Sequence, residues 1–434
     1  MGHHGHLFNV SSRSLVVADI TRRIGLSLGA DLCWPRCFEA IFAQLDPVLD
    51  VGGDRVKLTV ERMAIEPFDL KATTPYDVIL DRVTHWYHTR RERLKKAVLM
   101  DGVYVLNNPW TLQSMEKQTT YCAMIRLGLP VPDTWMVPPK EYEHSDDLEP
   151  TLQRYARLFD LGSVGEQIGY PMFMKPYDGG AWKGVSRIDN EEQLRSAYEL
   201  SGRMVMHLQK SVPDFDLFAR CIGVGPQLRC VNYKPDAPLH DRYSTDPLGA
   251  TDDDLNTLRQ MTLTINAFFG WDFNSCEALR DGSGVWQPID FANACPDSQV
   301  TSLHYHFPWL VIAKLKWSIF CAATKRPMRL HVDWEPFFAA ARETEGASLA
   351  ERLGAYAAIA NERFETERFE AFCAEHLSHI DEVAWDYFAT DDAHEAVRQK
   401  VISLFPEHEF DEFTELFWQR IQDWRADNAA PSPR

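Results

Sequence analysis

Two carboxylates flank a turn-forming stretch past the middle of the chain: Glu277 precedes, and Asp290 follows, the segment Arg280-Asp-Gly-Ser-Gly284. If Arg280 pairs with Val285 across a hairpin, Glu277 lies opposite Pro288 and its diagonal neighbour on the same face is Asp290. Converging carboxylates of this kind can bind Mg²⁺, serve as a general acid/base pair, or simply finish an exposed polar hairpin. Asn293 adds a neutral oxygen nearby. A second set is Lys175 at the end of an apolar run, followed by Asp178, Gly179, Gly180, Lys183 and Gly184. Glycines let backbone N–H groups approach phosphate oxygens, and a lysine at a strand end supplies a point charge. The plain alternative is an ordinary turn. A third candidate, Lys117, falls on an amphipathic helix pattern from Thr111 to Leu127, where a lone lysine is normally a solvated charge.

The elements that must position these groups follow from the apolar pattern. Short runs at Leu15–Ala18, Val56–Val60, Val78–Leu80 and Val103–Leu106 alternate with helix-compatible charged stretches, a small α/β layer pattern. One of those stretches, Trp86–Met100, is locally basic and reads as a solvated helix. The run Tyr170–Lys175 predicts a buried strand feeding the glycine turn, and Met204–Leu208 and Phe218–Val224 predict two more. Phe269–Leu279 and Gly284–Phe291 are the two arms of the hairpin. Trp309–Ala323 is a core helix interrupted by Lys314 and Lys316, and everything after Pro327 has helical spacing. The expected organisation is a disordered start (1–13), a preceding α/β domain (14–108), a central domain (109–325), a helical C-terminal extension (326–428) and a tail (429–434).

Composition limits the function. With 45 basic and 63 acidic residues the net charge is −18, too acidic for a general nucleic-acid binder. No run approaches the length needed to span a bilayer. The nine cysteines are scattered without a C-x-x-C pair, and no apolar signal segment opens the chain, so a reducing, cytoplasmic setting is expected. His304-Tyr-His306 puts two imidazoles on one face of a predicted strand without completing a zinc set, and Cys276 and Cys295 have no paired histidine that would make a nucleophile.

Taken in order, these features resemble the ATP-grasp superfamily: a boundary Asn108-Pro109, the helix lysine, Leu127-Gly-Leu-Pro-Val-Pro-Asp-Thr134, strand-Lys-Pro with its glycine loop, the acidic strand pair and a terminal Asn. The likeness covers roughly residues 76–300. Tyr76-Asp-Val-Ile-Leu-Asp-Arg82 and Gly102-Val-Tyr-Val-Leu-Asn107 look like the end of the preceding domain in the glutathione synthetase and ribosomal-protein glutamate ligase branch. The resemblance implies an ATP-grasp fold in which Lys117 and Lys175 reach ATP phosphates from two lobes and the Asp178–Gly184 loop folds over them. It implies that Gln209-Lys210-Ser211-Val212 is the hinge whose backbone holds adenine, that Asp216 is near the ribose, and that Arg242 is near the transferred phosphate and the substrate. Glu277, Asp290 and Asn293 resemble the ligands of one or two Mg²⁺.

Two departures carry consequences. The family pattern has Arg two residues after the ribose acid, whereas here Phe218 stands there and Arg220 follows. The family's Glu-x-Asn is lengthened to Asp290-Phe-Ala-Asn293, so on a regular strand Asn293 points away, and a bulge at Phe291–Ala292 is needed to bring it back. The function so implied is an ATP-dependent ligase that joins a small carboxylate to an amine through an acyl phosphate. Phosphotransfer without ligation and a nucleotide-binding regulatory protein are the alternatives. Oligomeric state is open, with a homodimer, the commonest soluble assembly, as one reading.

Overall fold

The computed structural model describes residues 19–84, 87–111, 116–178, 183–293 and 295–429. The leading run Leu15–Ala18, the expected disordered start and most of the tail lie outside them. The first described strand is β1 (Asp19–Ser27), which carries Arg22 and Arg23 on its half-exposed first part and is fully buried only from Ile24 onward. It is followed by α1 (Cys33–Leu45), β2 (Val48–Val51), β3 (Asp54–Arg62), β4 (Val78–Asp81), α2 (His88–Asp101) and β5 (Tyr104–Leu106). The five strands form one sheet in the order β2-β3-β1-β4-β5, parallel except for β2 against β3. The α2 helix is more than a solvated charge stripe. Leu94, Ala97 and Val98 pack into a core with Ile79 and Val105, and Lys96 is itself buried and paired with Asp101 at 2.7 Å.

The linker helix α3 (Lys117–Arg126) leads into β6 (Thr134–Val137), α4 (Leu148–Tyr155), α5 (Leu161–Ile168), β7 (Met172–Pro176), β8 (Ser186–Ile188), α6 (Glu191–Ser201) and β9 (Met206–Lys210). Their antiparallel sheet, β6-β9-β7-β8, obeys strict alternation. Met172, Met174, Met206 and Leu208 face Leu161, Ile168 and Leu194 of α5 and α6, forming a small core separate from the rest. The intervening residues, Lys175, His207 and Gln209, therefore share the opposite face.

A second four-stranded antiparallel sheet follows, β11-β10-β12-β13, from β10 (Leu217–Val224), β11 (Gln227–Asn232), β12 (Phe273–Arg280) and β13 (Trp286–Asp290). Between β11 and β12 lies α7 (Asp252–Phe269), opened by a Thr251/Asp254 capping box and closed by Gly270 in the left-handed region. Phe269, expected to begin a strand, is instead the last helical residue. The tight turn from β10 to β11 requires Gly225: φ is +55° and a Cβ would sit 2.4 Å from the Trp317 ring.

The remainder is helical, as expected: α8 (Val300–Leu303), α9 (Phe307–Ala323), α10 (Glu335–Glu343), α11 (Leu349–Phe364), α12 (Thr366–His376), α13 (Ile380–Tyr387), α14 (Asp391–Ile402) and α15 (Phe410–Asp427). The α9 helix is buried almost all round, Lys314 included, which is how an apolar helix without polar faces must sit. It ties the first sheet, the second four-stranded sheet and the C-terminal helices into one continuous core. Among the described residues no helix is long and apolar enough to cross a membrane.

Candidate active site

Lys117 is the first residue of α3, and its backbone N–H donates to the Tyr177 carbonyl at 3.2 Å, fastening the linker helix to the end of β7. Its Nζ lies 2.9 and 3.1 Å from the two carboxylate oxygens of Asp290. Lys175 approaches the same strand from the small lobe: its Nζ donates to Gln209 Oε1 at 2.6 Å and to the Ile289 carbonyl at 3.3 Å. Gln209 Nε2 in turn donates to Thr134 Oγ1 at 3.0 Å. Two buried ammonium groups, carried by separate elements, thus converge on the end of β13. Burial lowers the Lys175 pKa to about 8; the Asp290 charge opposes that shift and the Lys117 charge adds to it.

The hairpin that supplies the acids is out of its expected register by one residue. Arg280 pairs with Trp286 rather than Val285, and Ala278 with Pro288. The ladder then skips Ile289, so that Glu277 stands directly opposite Asp290. The bulge therefore precedes Asp290 instead of falling at Phe291–Ala292, and it brings the two acids closer in register than the diagonal expected from regular pairing. Because β13 ends at Asp290, strand alternation no longer governs Asn293. Its backbone N–H donates to Asn274 Oδ1 at 3.1 Å and its Nδ2 to Ser275 Oγ at 3.2 Å, which places its amide beside Ser275, on the Glu277 face of β12.

Glu277 is ion-paired with Arg220, its cross-strand partner on β10. Arg220 also donates to Ser275 Oγ at 3.2 Å, and its guanidinium lies 5.3 and 5.4 Å from the Tyr233 and Tyr243 ring centroids. Burial raises the Glu277 pKa, with Arg220 opposing and Asp290 reinforcing that shift. Burial pushes Asp290 the same way, but Lys117 and Lys175 outweigh it and hold Asp290 below the usual carboxylate range. The pair is thus chemically split, one acid held ionised by lysines and the other gripped by an arginine.

Not every residue singled out in the sequence joins this cluster. Arg242 donates from Nε to the Ala237 carbonyl of its own loop at 3.1 Å, so the arginine at the acids is Arg220. Asp216 is held by Arg280 at 2.9 and 2.5 Å. Val212 is buried in the main core, while Lys210 lines a groove of about 430 Å³ with Val131, Asp133, Pro213, Asp281 and Ser283. Asp178, Lys183 and Gly184 are exposed, and Gly184 takes φ +72° with space for a Cβ limited by Pro176 at 2.9 Å. Gly179 and Gly180 lie outside the described residues. His304 and His306 are on a single 3₁₀ turn rather than a strand. Their Nε2 atoms contact separate backbone carbonyls, His240 at 3.0 Å and Ser244 at 2.9 Å. Burial raises the pKa of both Cys276 and Cys295, to about 11 for Cys295, against a nucleophilic role. Among the described residues no group of three His, Cys, Asp or Glu side chains is arranged to hold a metal.

Sequence reasoning passed over His207 and noted Arg220 only as a departure near the ribose acid, although each is a polar residue inside an apolar strand run, the available signal. It also passed over a second set of buried charges just beyond Asn293. Arg82, at the end of β4, contacts Asp31 at 3.3 Å and the Pro296 carbonyl at 2.9 Å. Lys314 donates to Ser298 Oγ at 2.9 Å and lies 3.9 Å from the centre of a Trp34 ring. Lys400 of α14, 4% exposed, feels the charges of Asp31 and Asp297.

No family model matches the chain. Two D-alanine–D-alanine ligases, from Thermoanaerobacter sp. and Thermoanaerobacter pseudethanolicus, are 34% identical over 89 residues, 20% of this chain. That stretch spans 21%, about a fifth, of those curated relatives' length. Among solved structures, a RimK domain ATP-grasp protein of Sphaerobacter thermophilus is 15% identical, covering 68% of this chain and 99% of its own, at a TM-score of 0.44. The D-alanine–D-alanine ligase of Bacillus anthracis is 14% identical, covering 70% and 98%, at a TM-score of 0.44. By these likenesses the chain is similar to an ATP-grasp protein and to D-alanine–D-alanine ligases.

Proposed function

We propose that the chain is an ATP-dependent carboxylate–amine ligase of the ATP-grasp type. The observation that carries this reading is the convergence of Lys117 and Lys175 on the end of β13, Lys117 on Asp290 and Lys175 on the adjoining Ile289 carbonyl, with Asp290 directly opposite Glu277. The site fits a magnesium nucleotide. Buried Lys117 and Lys175 and the partly buried Arg220 face the buried Glu277 and the partly exposed Asp290, and among the described residues the Nε of Arg220 and both ring nitrogens of His207 have no hydrogen-bond partner. In this reading Lys117 and Lys175 hold phosphate oxygens, while Glu277, Asp290 and the Asn293 amide hold Mg²⁺. The bound ion would neutralise charge on the phosphates. Asp290 is available to it once Lys117 exchanges the carboxylate for phosphate.

The acceptor carboxylate takes the terminal phosphoryl group to become an acyl phosphate; an amine then attacks the acyl carbon and inorganic phosphate leaves. Lys117, Lys175 and Arg220 are positioned to stabilise the charge that moves with the phosphoryl group in an otherwise acidic protein. Beyond Asn293, Arg82 offers a cationic contact and Asp31 and Asp297 anionic ones, the two signs that an amino-acid substrate presents.

The test is ADP release measured over a panel of amino acids, D-alanine included, and small carboxylates, singly and paired with amines, with mass detection of products. Release that needs both partners, with a condensed product, is the expected result. A stable phosphorylated product from one partner would establish phosphotransfer instead, and ATP binding without release across the panel would favour a regulatory role.

A further inference from the structure

His207 is 0% exposed, and neither ring nitrogen has a hydrogen-bond partner among the described residues. An imidazole buried with both a donor and an acceptor unused is costly unless something else satisfies it. Its surroundings indicate what that is. In the β7–β9 register His207 is directly opposite Lys175, so their side chains leave the same face of the sheet as neighbours. The charges of both Lys117 and Lys175 act on the ring, and the Tyr121 ring meets it edge-on at 5.9 Å. Gln209, the next residue on that face toward Ser211, already has both ends of its amide engaged, by Lys175 and Thr134. Going along β9 away from the Ser211 end, His207 is thus the first polar side chain on the cleft face that makes no hydrogen bond among the described residues, level with Lys175.

We propose that His207 is a further nucleotide-binding residue, its ring N–H donating to a phosphate oxygen of the ATP held by Lys117 and Lys175. This rests on the reading of the cleft as an ATP site. A third cation between two lysines would be repelled, whereas an imidazole adds a directed donor without a charge. Burial, with the two lysine charges, pushes the ring's pKa down to about 4, so it is neutral at pH 7. The ring becomes reachable when the lysines leave Asp290 and the Ile289 carbonyl for phosphate.

The experiment uses the full chain with ATP and with adenosine as probes. Calorimetric titration of His207→Leu should show ATP binding weakened about tenfold, the effect of one lost hydrogen bond to a charged group. His207→Gln, which keeps a donor, should recover part of it. In wild type labelled with ¹⁵N-histidine, the His207 ring resonances should move with ATP and stay put with adenosine, which decides the matter even if the Leu variant fails to fold. Wild type that binds no ATP would overturn the cleft reading itself. Wild type that binds ATP with unmoved His207 resonances, or a folded His207→Leu that binds ATP as tightly, would overturn this proposal alone. Ring resonances that move equally with adenosine would overturn the phosphate assignment.

Discussion

Replacing Lys175 with Met should alter stability in a way only one range of pH reveals. A free lysine titrates at 10.5, and burial lowers Lys175 to about 8. Below pH 8 both folded and unfolded chains carry the proton, so the folded state bears the whole cost of the buried charge. As pH rises through 8 the folded protein sheds the proton while the unfolded chain keeps it to 10.5, so the unfolded state binds more protons and stability increases with pH. A gap of roughly 2.5 pH units corresponds to about 3 kcal/mol. Urea unfolding of wild type and Lys175→Met from pH 7 to 10.5 should therefore give a constant difference below pH 8 and one that shifts in favour of wild type by about 3 kcal/mol above it. The lost bond to Gln209 offsets the curves without bending them. ATP gives the second half of the test. An ammonium–phosphate contact near 4 Å is worth on the order of 4 kcal/mol at an effective dielectric of 20; if half survives screening, Lys175→Met weakens ATP about thirtyfold at pH 7. Phosphate draws the proton back, so wild-type affinity should fall above pH 8, by up to about tenfold per pH unit, while the Met variant stays level. Parallel stability curves would refute the buried-charge argument, and unchanged ATP affinity would remove Lys175 from the phosphate site.

Asp290→Asn should raise the Mg²⁺ concentration needed for ADP release by about tenfold or more, and Asn293→Ala by less, because a neutral amide oxygen holds Mg²⁺ more weakly than a carboxylate; a magnesium titration of both variants measures the order. Asp216→Ala should leave ATP affinity within about twofold, since Arg280 occupies both carboxylate oxygens; a larger loss in a nucleotide titration would give Asp216 to the ribose. Phe320→Ala should cost about 3–5 kcal/mol in urea unfolding, because that ring is fully buried among Trp317, Phe369 and Phe372 at 5.3 to 5.4 Å.

What the sequence made legible was local. The run Tyr170–Lys175 ends in its lysine because alternation buries Met172 and Met174, and the hairpin acids are recognisable from the turn between them. The sequence reading missed what depends on neighbours. Nothing in Gln287-Pro-Ile-Asp290 marks the bulge at Ile289, which is set by how β13 meets β12. The capping pattern Thr251-Asp-Asp-Asp254 ahead of Leu255 and Leu258 marks the start of α7, a helix the sequence reading did not assign, and the β-prone Phe269 was read as the start of a strand. His304-Tyr-His306 has a strand's alternation, yet the adjoining α8 and α9 bend it into a turn. Arg220 could be placed at Glu277 only once β10 and β12 were known to pair.

The small lobe's core of Val137, Leu161, Ile168, Met172, Met174, Ile188, Leu194, Tyr198, Met206 and Leu208 shares no member with the main one. The chain enters this lobe before β6 and leaves it after β9, so it is a self-contained cooperative unit joined at two strands of backbone. The C-terminal helices are the reverse case, since Phe364, Phe369 and Phe372 complete the core of the body that carries the acids. Cutting the chain near residue 326 would unmake the acidic half of the site while leaving the lysine-bearing lobe its own interior. A nucleotide held by Lys117 and Lys175 at once bridges both bodies, so its binding energy is spread over two foldons. In calorimetry that predicts two separable melting events in the free protein, drawing together as nucleotide is added.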